Sequence, residues 1–221
     1  TTPVGLYVVP TITQMEQLKG TAIAVSRLTS GGAYILKVGL KKAGLEALKD
    51  VTLIQAGGIP ESFTALHAGK VQGAMLSPPT SYKAEALGFR KIWSGLGVEY
   101  PSLLYAARKS FVRDSEAVAL RFLQAMAEGA HIFNTDKEEA LKVMAKYTKV
   151  TDRKILENSY ADNYGVHSPT LEPTRSGIAN ILETLGGTTA KAASAKPEDF
   201  IEPRLVKKLE ESGYFKKLTG R

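Results

Sequence analysis

The chain predicts an α/β fold that gives way to helices, and three observations carry this expectation. Between residues 20 and 93, short apolar runs bounded by Gly, Pro or Ser alternate with helical stretches. Three of those runs end in turns rich in small residues that open a helix. From Ser115 onward the strand pattern stops and helical periodicity takes over.

The first β-like stretch is Val4–Val9, closed by Pro10. Ala22–Val25, Val51–Ile54, Gly73–Leu76 and Lys91–Trp93 then read as short buried strands of a parallel sheet. Helices are expected between them at 32–43, 61–68 and 79–87. The first places Ile35, Leu36, Val38, Gly39 and Leu40 on one side and stops at Gly44. Leu103–Ala107, preceded by Pro101, is a second flanking β-like stretch. Two such segments mark either a hinge between two lobes or two edge strands of one sheet.

Beyond Ser115, Val118, Phe122, Met126 and Phe133 form a stripe along a long helix that Asp114 or Ser115 is placed to cap. A second helix at 137–147 puts Ala140, Leu141, Met144 and Tyr147 on one face. Others are expected at 152–163, 174–185 and 203–212. Gly186-Gly187 ends one of these, and the Ala/Lys/Ser-rich stretch 188–196 reads as an exposed linker.

At 221 residues and 43% hydrophobic content, the chain has enough apolar matter for one large domain or two small lobes. No apolar run approaches the length of a membrane span. The opening Thr1-Thr2-Pro3-Val4-Gly5 lacks the regions of a signal peptide, which leaves a mature or trimmed exported protein open. Cysteine is absent, so disulfides, thiolate nucleophiles and cysteine metal sites are excluded. The net charge of +7 favours an anionic ligand or surface. The pairs Lys41-Lys42, Lys207-Lys208 and Lys216-Lys217 are scattered over helix faces, however, and nothing resembles a nucleic-acid-binding pattern.

The turn Ser26-Arg27-Leu28-Thr29-Ser30-Gly31-Gly32 is the strongest candidate for binding. Gly31 and Gly32 let backbone N–H groups approach an anion, and Ser26 and Ser30 add hydroxyls. Ordinary N-capping by Ser30 is the plainer alternative. The glycine-lysine-serine ending of a P-loop is absent. In Gly57-Gly58-Ile59-Pro60-Glu61, Pro60 suits a first helical turn and Glu61 sits well against the helix dipole, which alone is a structural role. Ser77-Pro78-Pro79 opens a third helix with a stiff loop. The candidate ligand-binding set is therefore Ser26, Ser30, Gly31, Gly32, Gly58, Ser77 and Pro78. His67, His131 and His167 lack metal-ligand spacing, and no Gly-x-Ser-x-Gly occurs. Asp50, Asp114 and Asp152 sit at element boundaries, where turns and caps explain them. No catalytic residue, metal site or cofactor is expected.

The run Gln17-Leu18-Lys19-Gly20, followed by Ile23-Ala24-Val25-Ser26-Arg27 and Ser30, resembles the solute-binding proteins of ABC importers for sulfonates, nitrate, taurine and thiamine-precursor pyrimidines. Asp50-Val51-Thr52, Gly57–Glu61, Ala65-Leu66 with Gly69, Gly73–Pro79, Leu87–Arg90, Pro197–Phe200 and Glu211–Tyr214 continue the series. The resemblance implies a type II periplasmic-binding-protein-like fold of two α/β lobes joined by two crossover segments. It makes 10–100 the complete second lobe, and assigns 1–9 and 101–221 to the hinge strands and the helical remainder of the first. Val4–Val9 and Leu103–Ala107 become the crossovers, and Ser26, Ser30, Gly31, Gly58 and Ser77 face the ligand.

Two departures stand out. Gly31-Gly32 replace residues that are often serine in relatives, and the family's opening βα units have no counterpart, so the first lobe is incomplete. The stripe on the long helix then needs a cover, from an associated segment or from self-association. The implied function is delivery of a small anionic solute (sulfonate, nitrate or taurine-like) to an ABC permease, outside the cytoplasm, free or membrane-tethered. The alternatives are a ligand-sensing effector domain of a regulator and a pyrimidine-synthase-like enzyme of thiamine biosynthesis. The enzyme's cysteine-rich iron motif has no counterpart in a chain without cysteine.

Overall fold

Each short apolar run before residue 95 becomes a strand, and each amphipathic stretch between them becomes a helix. The computed structural model describes residues 3–101, 103–166, 171, 173–186 and 189–220. The chain divides into two units, Thr1–Ser102 and Leu103–Arg221.

The first unit contains β1 (Gly5–Val8), β2 (Ala22–Val25), α1 (Gly31–Lys42), β3 (Thr52–Gln55), α2 (Ile59–His67), β4 (Gly73–Leu76), α3 (Thr80–Ala86) and β5 (Arg90–Ser94). The strands form one sheet in the order β3-β2-β4-β1-β5. Strand β2 runs parallel to β3 and β4, whereas β1 is antiparallel to both β4 and β5. Alternation along the strands sorts the core. Leu6, Val8, Ile23, Val25 and Met75 pack with Ile35, Leu36 and Leu40 of α1 on one face. Tyr7, Ala24, Ala74 and Leu76 pack with Leu66 of α2 and Ala84 of α3 on the other. The alanines on this second face keep the two helices close to the sheet.

The flanking stretches differ from expectation. Strand β1 is not an edge strand: all four residues are buried and it lies between β4 and β5. Both its faces are apolar, with Leu6 and Val8 on one and Tyr7 on the other, so an interior position buries more of it. Residues 5–8 thus pack inside the first unit. Leu103–Ala107 forms no strand. No described strand pairs with it, and Leu103 and Tyr105 are 74% and 52% exposed.

Before β2, a single 3-10 turn (Met15–Leu18) explains the Gln17-Leu18-Lys19-Gly20 run. The Gln17 side chain accepts hydrogen bonds from the Thr13 and Gln14 N–H groups at 2.7 and 3.1 Å. Leu18 is fully buried, and Gly20 takes a φ of +78° that a side chain would resist. Its N–H donates to the Asp50 carbonyl at 2.7 Å.

The second unit is helical: α4 (Lys109–Asp114), α5 (Glu116–Thr135), α6 (Lys137–Thr148), α7 (Arg153–Asn163), α8 (Arg175–Gly186), α9 (Ala190–Ala193), α10 (Arg204–Glu211) and α11 (Tyr214–Thr219). Asp136 and Asp152 cap α6 and α7, accepting from the Glu139 and Ile155 N–H groups at 3.0 and 3.1 Å. Ser115 stands at the N-cap of α5 without a capping side-chain bond. That helix buries Ala119 and Ala127, while Val118 and Phe122 of the expected stripe are 47% and 48% exposed. Farther along, Phe133 packs against Leu141, Leu156 and Tyr160. The stretch read as a linker holds the short α9, none of whose residues is buried. Gly187 and His167 lie outside the described residues.

Candidate functional site

Parallel pairing of β3, β2 and β4 as neighbours brings their three following turns to one edge of the sheet. Strand β5 is antiparallel to β1, hence parallel to β4, so the loop after it reaches the same edge. The Ala56 N–H donates to the Val25 carbonyl at 2.8 Å and the Gly57 N–H to the Ser26 carbonyl at 3.1 Å, joining the first two turns.

The N-terminus of α1 is open. Ser30 is its N-cap, and the Ser30 hydroxyl accepts from the Ala33 N–H at 3.2 Å. Its carbonyl accepts from the Tyr34 N–H at 3.0 Å. The N–H groups of Gly31 and Gly32 find no acceptor among the described residues. These are the orphan donors every helix leaves at its start. Gly32 seats this end on the sheet: a Cβ there would stand 3.5 Å from the Met75 Cβ and 3.8 Å from Val4 Cγ1. Ser26 and Ser30 are half-buried rather than covered, and the Ser26 hydroxyl bonds to no described residue.

At the N-terminus of α2 a carboxylate lies close by. Gly58 is its N-cap and Pro60 stands in the first turn, as expected. The Glu61 carboxylate folds back over Gly58, so that a Cβ on Gly58 would lie 2.4 Å from Glu61 Oε2. The chain's own carboxylate thus lies beside the start of α2, without a capping side-chain hydrogen bond.

At the third turn, Ser77 and Pro78 are half-buried, and the Ser77 carbonyl accepts from the Ser81 N–H at 3.0 Å. The Ser77 hydroxyl bonds to no described residue. Neither does that of Ser81, although Ser81 is only 2% exposed.

The fourth loop brings Tyr100, which is 9% exposed, onto α1. Its ring lies 4.9 Å, centroid to centroid, from that of Tyr34. Burial pushes the Tyr100 phenol above its ordinary range, and the neighbouring Tyr34 adds to the effect. Arg27, exposed in the first turn, makes no ion pair with a described residue.

No group of three or more His, Asp or Glu side chains is placed to hold a metal ion among the described residues. His67 stacks on Phe63 at 5.9 Å and meets the edge of Phe89 at 6.4 Å, a packing role. Asp50 accepts from the Glu46 N–H at 2.9 Å, Asp114 pairs with Arg113 at 2.8 Å, and Asp152 caps a helix. Turn, surface pair and cap account for all three.

The sequence profile of the NMT1-like family matches residues 8–149, more than half of the chain and all four of these loops. The chain belongs to the NMT1-like family. No curated protein sequence matches it significantly. Among solved structures, this NMT1-like chain is similar to the periplasmic aliphatic sulphonate binding protein SsuA from Escherichia coli. The identity is 17% over 90% of this chain and 65% of that one, with a TM-score of 0.68. The alkanesulfonate-binding protein SsuA from Xanthomonas axonopodis pv. citri, bound to MOPS, matches at 17% identity over 88% of this chain and 67% of that one, with a TM-score of 0.67. The chain therefore spans about two thirds of their lengths. The desulfurization enzyme DSZB matches at 14% identity over 96% of this chain and 76% of that one, with a TM-score of 0.65. At these identities the likeness is one of fold, and that fold accommodates both binding and catalysis.

Of the sequence candidates, Ser30, Gly31 and Gly32 stand at the open start of α1, and Ser26 lies earlier in the same turn. Ser77 and Pro78 lie in the turn of the neighbouring strand. Sequence reasoning missed Tyr100 and Ser81. The signal for Tyr100 was its place after a fourth parallel strand, in the loop running from Gly95 to Pro101.

Proposed function

We propose that the chain is a solute-binding protein that takes up a small sulfonate-like anion outside the cytoplasm for delivery to an ABC permease. The observation that carries this reading is the open N-terminus of α1. Two free N–H groups sit there, the turn that leads into it carries the unpaired hydroxyl of Ser26, and the neighbouring strand's turn carries that of Ser77. A sulfonate offers three acceptor oxygens and a fixed negative charge, which suits a set composed of donors at the positive end of a helix dipole. Binding is favoured over catalysis because no nucleophile and base are paired at this edge among the described residues. The names of the SsuA proteins, sulfonate binders of the same fold, support the choice of anion. Periplasmic placement is proposed on the same ground. Among the described residues, no helix is long and apolar enough to cross a membrane.

Isothermal titration of the full chain with ethanesulfonate, taurine, MOPS and nitrate, extended into the millimolar range, tests the reading. Saturable binding of a sulfonate, weakened about tenfold or more in Ser26→Ala, is expected. Absence of binding to all four, or binding indifferent to Ser26, contradicts it.

A further inference from the structure

We propose that Tyr100 is a ligand-contacting residue whose hydroxyl donates a hydrogen bond to the anion seated on the Gly31 and Gly32 N–H groups. The inference rests on the function proposed above and adds a donor from a different loop. Tyr100 is more than nine-tenths buried, and its hydroxyl bonds to no described residue. A phenol buried without a partner costs stability, and folded chains rarely keep one without a use. Its position supplies that use. A Cβ built on Gly31 would stand 2.8 Å from Cε1, 2.9 Å from Cδ1 and 3.7 Å from Cζ of the Tyr100 ring, so the edge of the ring next to the phenolic carbon packs on the first residue of α1. The hydroxyl is one bond beyond Cζ.

The Tyr34 ring, one turn into α1, packs against Tyr100 and holds it there. A phenol is protonated at neutral pH and so a donor there, and burial disfavours its phenolate further. The Gly31 N–H, the Gly32 N–H and the Tyr100 O–H are all donors, which selects an acceptor-only head group such as a sulfonate over an amine.

The test is Tyr100→Phe, which keeps the ring on Gly31 and removes only the hydroxyl. Ethanesulfonate and MOPS are titrated into wild type, Tyr100→Phe and Ser26→Ala, and urea unfolding is measured without ligand. The expected result is a tenfold to hundredfold weaker sulfonate affinity in Tyr100→Phe, with unfolding at an equal or higher urea concentration. Loss of a merely structural hydroxyl leaves affinity unchanged. Wild-type affinity in Tyr100→Phe, with Ser26→Ala weakened, therefore overturns the role of Tyr100 alone. A wild-type chain that binds neither sulfonate overturns both this role and the function on which it rests.

Discussion

The ring of Tyr100 rests on the backbone of Gly31, leaving no room for a side chain: a Cβ there would meet Cε1 at 2.8 Å and Cδ1 at 2.9 Å. Gly31 is therefore fixed by packing. Gly31→Ala forces the ring off its seat against Tyr34, an overpacking cost of about 1–3 kcal/mol. Urea denaturation followed by tyrosine fluorescence checks this, and a loss below that range would mean the ring moves freely.

Glu61 and Gly58 form the contrasting pair. The carboxylate folded over the start of α2 interacts with the helix dipole, an effect of about 0.3–1 kcal/mol. Glu61→Ala is expected to lower unfolding free energy by that amount, less at high salt, and to leave sulfonate affinity unchanged. Titration and denaturation of the same variant report both quantities.

Core and surface respond differently to truncation. Leu36 is fully buried between α1 and the sheet, so Leu36→Ala is expected to cost about 2–5 kcal/mol. Phe122 on α5 is half-exposed and touches the edge of Tyr105, with ring centroids 5.2 Å apart. Phe122→Ala is expected to cost under about 1 kcal/mol. Paired denaturation curves decide, and a large loss at Phe122 would mean that something covers this face in solution.

Alkaline pH should loosen the end of the chain. The Tyr214 hydroxyl donates to the Gln124 carbonyl at 3.1 Å and to Glu128 Oε1 at 2.9 Å, tying α11 to α5. Burial first, and then the Glu128 carboxylate, push its phenol up to about 12. A folded value above the unfolded one, near ~10, means the contribution is complete below ~10 and is lost as pH rises toward about 12. Tyr214→Phe should abolish that part of the alkaline destabilisation, as thermal melts from pH ~8 to ~12 would show.

Acid acts at the other end of the scale. The Glu46 N–H bonded to Asp50 holds its carboxyl below the usual carboxylate range, and Lys19 contributes despite partial desolvation. This contribution is present above the unfolded value near ~3.9 and is lost as pH falls through the folded one. Asp50→Asn should flatten the acid limb of the stability curve, read by circular dichroism.

Local periodicity made the fold legible where it was strong. Ala22–Val25 and Gly73–Leu76 are the observed strands, because small and branched apolar residues bounded by Thr, Gln or Ser leave no alternative. Strand β1 was readable as a strand but not as an interior one, since its place depends on pairing with Gly73–Leu76, far along the chain. Leu103–Ala107 misled because β-propensity alone does not supply a partner strand.

The candidate site's local geometry was legible, in the Ser30 cap and in the glycines behind it. That the Glu61 carboxylate lies against the start of α2 depends on side-chain conformation, which spacing does not encode. Tyr100 was hidden for the same reason: only the folded chain sets it on Gly31, 69 positions earlier in the sequence.

The central claim is that an oxyanion binds the free N–H groups of α1, and amide NMR of the ¹⁵N-labelled chain titrated with ethanesulfonate tests it most directly. The account predicts saturable shifts that are largest at the Gly31 and Gly32 amides, with a smaller response at Ser26 and none at Gly58. Saturable shifts centred elsewhere, or Gly31 and Gly32 signals that stay fixed at saturating sulfonate, would contradict it.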